Sequence, residues 1–329
     1  MPSYLLALLA LQTIASPHCQ HLAGLSERKL EKLLPGPSSV TPPPPGPLKD
    51  TSVKLVNDKA HPWMPLCKGY GMENGIVVAL AYGSLLVDGN PLTNLVSIGA
   101  KSPATGPDPS KPADVGGLNG NNSIEGDASF TRDDFEFGDN HSFNNKLFDQ
   151  ISNRFGGGKY NLTVPGEYRF YRVQQSIVQN PHFSFTTPRF ITAYREISFP
   201  FIFFVDGRKA DGQLNLKDTL GFFPESRFPD DFRRIDGTNS SDLANNAATI
   251  MFNAHPIEPG RNDGKVNKFT VDTKSAAFDD PCGLYTSLVD VAIGRYPNPQ
   301  DVLRKNLNAN LGFLYQPFQG CPQRFPFGK

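Results

Sequence analysis

The sequence predicts a mainly α protein: one helical domain with long irregular connections and few, short strands. Three observations predict it. Apolar residues recur at helical spacing in several long segments. Capping and stopping residues bound those segments: Ser142, Thr187 and Asn298 ahead of them, and Gly156 to Gly158, Pro181 and Pro200 behind them. Strand-like runs are limited to Ile202 to Val205 and Phe269 to Val271.

Residues 1–17 are apolar from Tyr4 to Leu11 and then turn small, the pattern of a secretory signal cleaved near Ala15 or Ser16. The run is too short to span a bilayer. Residues 18–52 read as a propeptide or linker, with the amphipathic S-E-R-K-L-E-K-L-L followed by the polyproline-like spacer P-G-P-S-S-V-T-P-P-P-P-G-P. The body occupies 53–329. Ile76 to Val87 is apolar enough to be buried, and D-G-N-P turns the chain after it. Ser142 caps a helix bearing Phe143, Leu147, Phe148, Ile151 and Phe155, which the glycine run stops. A second helix is expected over Pro165 to Asn180. A third starts after the cap Thr187, with Pro188 at its first position, and Pro200 closes it. Cys282 to Arg295 carries Leu284, Tyr285, Leu288, Val291 and Ala292 on one face, and Asn298-Pro299 opens the last helix.

Composition narrows the function classes. With 329 residues the chain can bury a full core. Its 32 basic residues balance 32 acidic ones, so no basic excess exists to neutralise nucleic-acid phosphate. No later run is long and apolar enough for a membrane helix. Sequons at Asn121, Asn140, Asn161 and Asn239 suit a glycosylated, extracellular product, expected to be a monomer. No Gly-rich phosphate loop or G-x-S-x-G elbow is present. His61, His141, His182 and His255 lack metal-ligand spacing and read as structural.

Two constellations carry chemistry. S-I-E-G-D-A-S-F-T-R-D-D, from Ser123 to Asp134, places the Glu125 carboxylate, the Gly126 carbonyl and the Ser129 hydroxyl within five residues. If Gly126 begins a helical turn, Glu125 and Ser129 share a side, and the three oxygens suit a hard cation such as Mg²⁺. By spacing alone the bland reading, a helix start, is preferred. In R-F-I-T-A-Y-R-E, Arg189 and Glu196 stand close to two helical turns apart, about 10.5 Å of rise, within reach of an arginine. By spacing alone this is an ordinary helix ion pair. Arg195 faces another direction and reads as solvated.

These stretches, together with G-P-D-P-S-K-P-A-D-V-G-G-L-N before them, N-R-F-G-G-G-K-Y-N-L-T-V-P-G-E after them and the opening K-L-V-N-D-K-A-H-P-W, resemble the fungal heme-thiolate peroxidases, most closely the longer peroxygenase branch. The similarity runs from about Lys54 to the C-terminus. It implies heme b, with Mg²⁺ held against a heme propionate by Glu125, Gly126 and Ser129. It implies H₂O₂ and small aromatic or aliphatic molecules as substrates, with Glu196 as acid–base and Arg189 stabilising charge as the O–O bond breaks. Phe199 and Ile191 would line the substrate channel. Ile124, where one member of the family carries Phe, would leave that channel wider. Cys282 and Cys321 would form a disulfide, whose loop closure is worth about 4 kcal/mol on the chain-entropy model.

The chain departs from the family at one place. The family's axial thiolate lies in Pro-Cys-Pro shortly after H-P-W, whereas H-P-W-M-P-L-C-K-G-Y-G-M-E-N-G-I passes directly into what resembles the following helix. Of the other two cysteines, Cys19 lies beside the cleavage point, which leaves Cys67 at the seam. Three readings stand: an incomplete gene model or skipped exon, Cys67 as substitute ligand with Lys68 lowering its pKa, or a heme-free, inactive relative that keeps only the scaffold.

Overall fold

A computed structural model describes residues 72–92, 95–96, 126–138, 143–152, 159–208, 213–223, 232–233 and 241–328. The proposed signal and linker, Cys67, Ile124, Glu125, the glycine run and the sequons at Asn121, Asn140 and Asn239 lie outside the described residues.

Helix α1 (Asn74–Asp88) buries Val77, Ala81, Leu85, Leu86 and Val87. It is apolar nearly all round, as a central helix must be. Two short strands follow, β1 (Gly89–Asn90) paired antiparallel with β2 (Leu95–Val96). Helix α2 (Asn145–Asp149) is capped by Asn144, whose side chain accepts from the Leu147 amide; Ser142, the cap expected from sequence, lies outside the described residues. Strand β3 (Lys159–Tyr160) pairs with β5 (Leu214–Asn215). Helix α3 (Thr163–Gln179) begins where Asn161 Oδ1 accepts from the Thr163 and Val164 amides. Strand β4 (Ser184–Phe185) joins a three-stranded sheet with β6 (Gly260–Asn262) and β7 (Phe269–Val271), the last as expected from sequence.

Helix α4 (Arg189–Phe203) corrects four expectations. Pro200 does not end it: the helix runs one turn further, with the Phe204 amide donating to the Pro200 carbonyl. Proline removes one amide donor, and burial of Ile202 and Phe203 in the core outweighs that loss. For the same reason Ile202 to Val205 is helix end and bend, not strand. Thr187 supplies no cap; its hydroxyl instead donates to the Ala276 carbonyl, across a cis Thr187–Pro188 peptide. Arg195, also expected in solvent, is half-buried, and loss of water pushes its pKa below the usual arginine value.

After α5 (Leu216–Phe222), helix α6 (Ser241–Ala254) packs on both α3 and α4. The approach to α3 is close: a Cβ on Gly166 would sit 3.1 Å from the Met251 carbonyl. Helices α7 (Pro281–Arg295) and α8 (Asp301–Tyr315) cover α1, where Tyr82 stacks on Phe313 at 4.9 Å. The last helix starts three residues after Asn298, at a turn in which Gln300 has extended backbone.

Cys282 and Cys321 are bonded, tying the first turn of α7 to the turn after α8 across 39 residues. Replacing both with serine should lower stability by about 2–4 kcal/mol. The measurement is the denaturation midpoint of oxidised protein, and an unchanged midpoint would show that the bridge constrains nothing the helices do not already fix.

Candidate active site

The segment 126–134 forms no helical turn. Ala128 adopts φ 58°, a left-handed conformation rarely taken without glycine, at a typical cost of about 1–3 kcal/mol. The surroundings hold it there. Four successive carbonyls each accept from a buried arginine: Gly126 and Asp127 from Arg189 Nη2 (3.3 and 3.2 Å), Ala128 from Arg169 Nη1 (2.5 Å) and Ser129 from Arg172 Nε (2.7 Å). Two carboxylates close the loop from the other side. Asp134 Oδ1 accepts from the Ala128 amide and from Arg172 Nη2 at 3.2 Å. Asp127 Oδ1 accepts from the Phe135 amide, and Asn180 Nδ2 donates to both carboxylates. Arg132, Arg169, Arg172, Arg189, Asp127 and Asp134 are all buried. Groups so buried persist only when paired in this manner.

Helix α3 supplies two of the clasping arginines because Arg169 and Arg172 lie three residues apart and share a face. Arg169 also donates to the Ala193 carbonyl of α4 at 3.0 Å, and its guanidinium lies 4.7 Å from the Phe130 ring centre. Burial pushes its pKa down to about 9, with the nearby Arg189 charge adding to the effect.

The sequence pairing on α4 is met. Arg189 Nη1 lies 3.4 Å from Glu196 Oε2, with both side chains buried. Arg189 is therefore shared, one nitrogen on Glu196 and the other on the Gly126–Asp127 carbonyls.

Glu196 faces a cleft that encloses about 480 Å³, its open mouth included. Its walls are apolar: Ile197, Pro200 and Phe201 from α4, Phe130 from the loop, and Phe148, Ile151 and Phe223 opposite, with Thr131, Tyr160 and Thr219 as polar members. Phe199 and Ile191 are buried in the core and are not among the residues that line this cleft.

Ser129 Oγ is buried with no hydrogen-bond partner, as expected for a hydroxyl waiting for a cation. Gly126 already accepts from Arg189, which leaves one lone pair for a metal. Glu125, the third residue the resemblance implies, lies outside the described residues. No group of three His, Cys, Asp or Glu suited to a metal occurs among the described residues. A thiolate for iron would have to come from outside them, since Cys282 and Cys321 are bonded to each other.

Sequence reasoning missed Arg169, Arg172, Asn180 and Thr131. The recoverable sign was the pair of arginines one turn apart among apolar residues in G-E-Y-R-F-Y-R-V, where cations on a buried face must have partners. Nothing in the sequence marked Thr131.

Comparisons with known proteins show the family. A family model described as "Peroxidase, family 2" matches residues 64–237. The chain is 46% identical to an aromatic peroxygenase of Cyclocybe aegerita over 362 aligned positions, covering 97% of this chain and 96% of the relative. It is 44% identical to an aromatic peroxygenase of Coprinellus radians over 243 positions, covering 61% of this chain and 92% of that one. An alignment of 362 positions exceeds the 329 residues of the chain, so the first relative carries residues with no counterpart here.

Proposed function

Because the chain belongs to peroxidase family 2 and is an H₂O₂-dependent oxidoreductase, we propose that it is a secreted heme-thiolate peroxygenase acting on small aromatic and aliphatic molecules. The observation that carries this reading is the sharing of Arg189 between Glu196 and the Gly126–Asp127 carbonyls. One guanidinium thereby sets the spacing between an acid–base carboxylate and the loop proposed to hold Mg²⁺ through Glu125, Gly126 and Ser129.

Heme, when bound, supplies the iron chemistry that splits peroxide and delivers oxygen to the substrate. The chain does the rest. Glu196 takes a proton from one peroxide oxygen and returns it to the other, and the apolar walls keep bulk water from competing for that proton. Arg189 holds the Glu196 carboxylate in place and offers positive charge to the departing oxygen. Phe199, Ile191 and Ile124 are proposed to shape the substrate channel beyond the cleft.

Secretion is supported by the N-terminal signal pattern and by a disulfide suited to oxidising surroundings. The exposed Asn161 sequon adds to it. Among the described residues no helix is long and apolar enough to cross a membrane. A second reading, a heme-free scaffold, rests on the passage from H-P-W to Cys67 without Pro-Cys-Pro. The purified protein separates the two: a Soret band with a thiolate-type CO difference spectrum supports the enzyme, and its absence supports the scaffold. An in-frame Pro-Cys-Pro segment in genomic DNA between the codons for Leu66 and Cys67 would assign the gap to an incomplete gene model.

The cation proposal has its own test. Ser129→Ala removes the orphaned hydroxyl while leaving the Ser129 carbonyl on Arg172. Magnesium affinity should fall by at least about tenfold, read by metal analysis after dialysis at graded Mg²⁺. Equal retention by both proteins would take Ser129 out of the ligand set.

A further inference from the structure

We propose that Thr131 is the hydrogen-bonding anchor of the cleft and selects neutral, largely apolar substrates that carry an oxygen able to pair with its hydroxyl. The inference rests on the peroxygenase reading and deepens it.

Thr131 is 2% exposed and its Oγ1 has no hydrogen-bond partner, yet the residue lines the same cleft as Glu196. A buried hydroxyl without a partner is costly, and native proteins keep few of them. The other hydroxyls lining the cleft are satisfied. Tyr160 donates to Ser152 Oγ at 2.8 Å, and Thr219 donates to the Asn215 carbonyl at 2.6 Å. Thr131 alone among them is left for something that enters.

Its main chain cannot shift to find a partner. The Asn144 amide holds the Thr131 carbonyl at 2.7 Å, and Arg172 holds the carbonyls of Ser129 and Arg132 on either side. Only rotation of the side chain remains, and it can turn the buried hydroxyl toward the cleft from a rigid loop, as a specificity contact requires.

Charge limits the partner. The lining residues include the carboxylate of Glu196 and no lysine or arginine. An anionic substrate would be stripped of water in an apolar setting whose nearest cation, Arg189, is already paired with Glu196 and two carbonyls, whereas an ether, carbonyl or hydroxyl oxygen carries no such cost.

The test uses a matched pair of small probes. Anisole has an ether oxygen, and ethylbenzene is similar in size and has none. Thr131→Val keeps the shape and removes the hydroxyl; Thr131→Ser keeps the hydroxyl. Equilibrium binding is measured without peroxide, and KM with it. In Thr131→Val, anisole should bind about three- to tenfold more weakly, the worth of one net hydrogen bond. Ethylbenzene should be unchanged, and Thr131→Ser should bind anisole nearly as the parent does. Equal weakening of both probes, or no change in either, would overturn the proposal and leave water as the partner of the hydroxyl. If the parent protein turned over neither probe with peroxide, the peroxygenase reading would fail, while the binding comparison would still decide the role of Thr131.

Discussion

Glu196→Gln is expected to lower peroxide-dependent turnover by about 10²–10⁴-fold, the usual contribution of a positioned acid–base group. The substitution is chosen to spare the fold. Glutamine keeps the volume of the side chain, and its carbonyl oxygen can still accept from Arg189 Nη1, now 3.4 Å from Glu196 Oε2. Arg189 in turn keeps its bonds to the Gly126 and Asp127 carbonyls. What is lost is the ability to hold and return a proton within the cleft. The measurement is kcat for oxygenation at saturating substrate, with heme content and thermal midpoint as controls. A variant that retains heme and turns over undiminished would remove Glu196 from the reaction. One that loses heme as well would point to a structural role for the buried pair.

Much of this site was legible in the sequence because it obeys local rules. Arg189 and Glu196 lie two turns apart on one helix, and helical geometry alone puts them on one side. Chain-order features also came through: the Cys282 helix, the strand at Phe269 and the helix ended at Asn180 all depend on residues near in sequence. What failed was decided by contacts from far along the chain. Pro200 should stop a helix by its missing amide, yet core burial carries α4 past it. Ala128 should not be left-handed, yet Asp134 and Arg169, six and 41 residues away, hold it so. Arg195 carries no mark of burial in its own segment. A pairing such as Arg172 with Ser129, 43 residues apart, leaves no periodic trace in the chain. The family resemblance supplied roles for Ser129 and Arg189; the two arginines of α3, and the reach of Arg189 to the Gly126 and Asp127 carbonyls, had to be seen in three dimensions.

Arg172→Met is expected to destabilise the protein by about 3–5 kcal/mol, the cost of removing one partner of a buried ion pair. At roughly 2–4 °C per kcal/mol for a domain of this class, the midpoint should drop by about 10 °C. Arg172 reaches the Ser129 and Arg132 carbonyls and Asp134 Oδ1 with one guanidinium. Methionine fills a similar volume and offers none of those donors. Asp134 would keep the Ala128 amide and Asn180, two neutral donors, around a carboxylate that is 1% exposed. A double-mutant cycle separates the charge from the loop. Adding Asp134→Asn to Arg172→Met relieves the uncompensated charge and should recover a substantial part of the loss. If Arg172→Met alone stays within about 1 kcal/mol of the parent, near the effect of an ordinary substitution, the clasp is not what holds the loop. The 126–134 loop and α4 would then be independent. If the loss is as large as expected, turnover should fall with it, since Arg189 takes its place on Glu196 from the same carbonyl row that Arg172 secures.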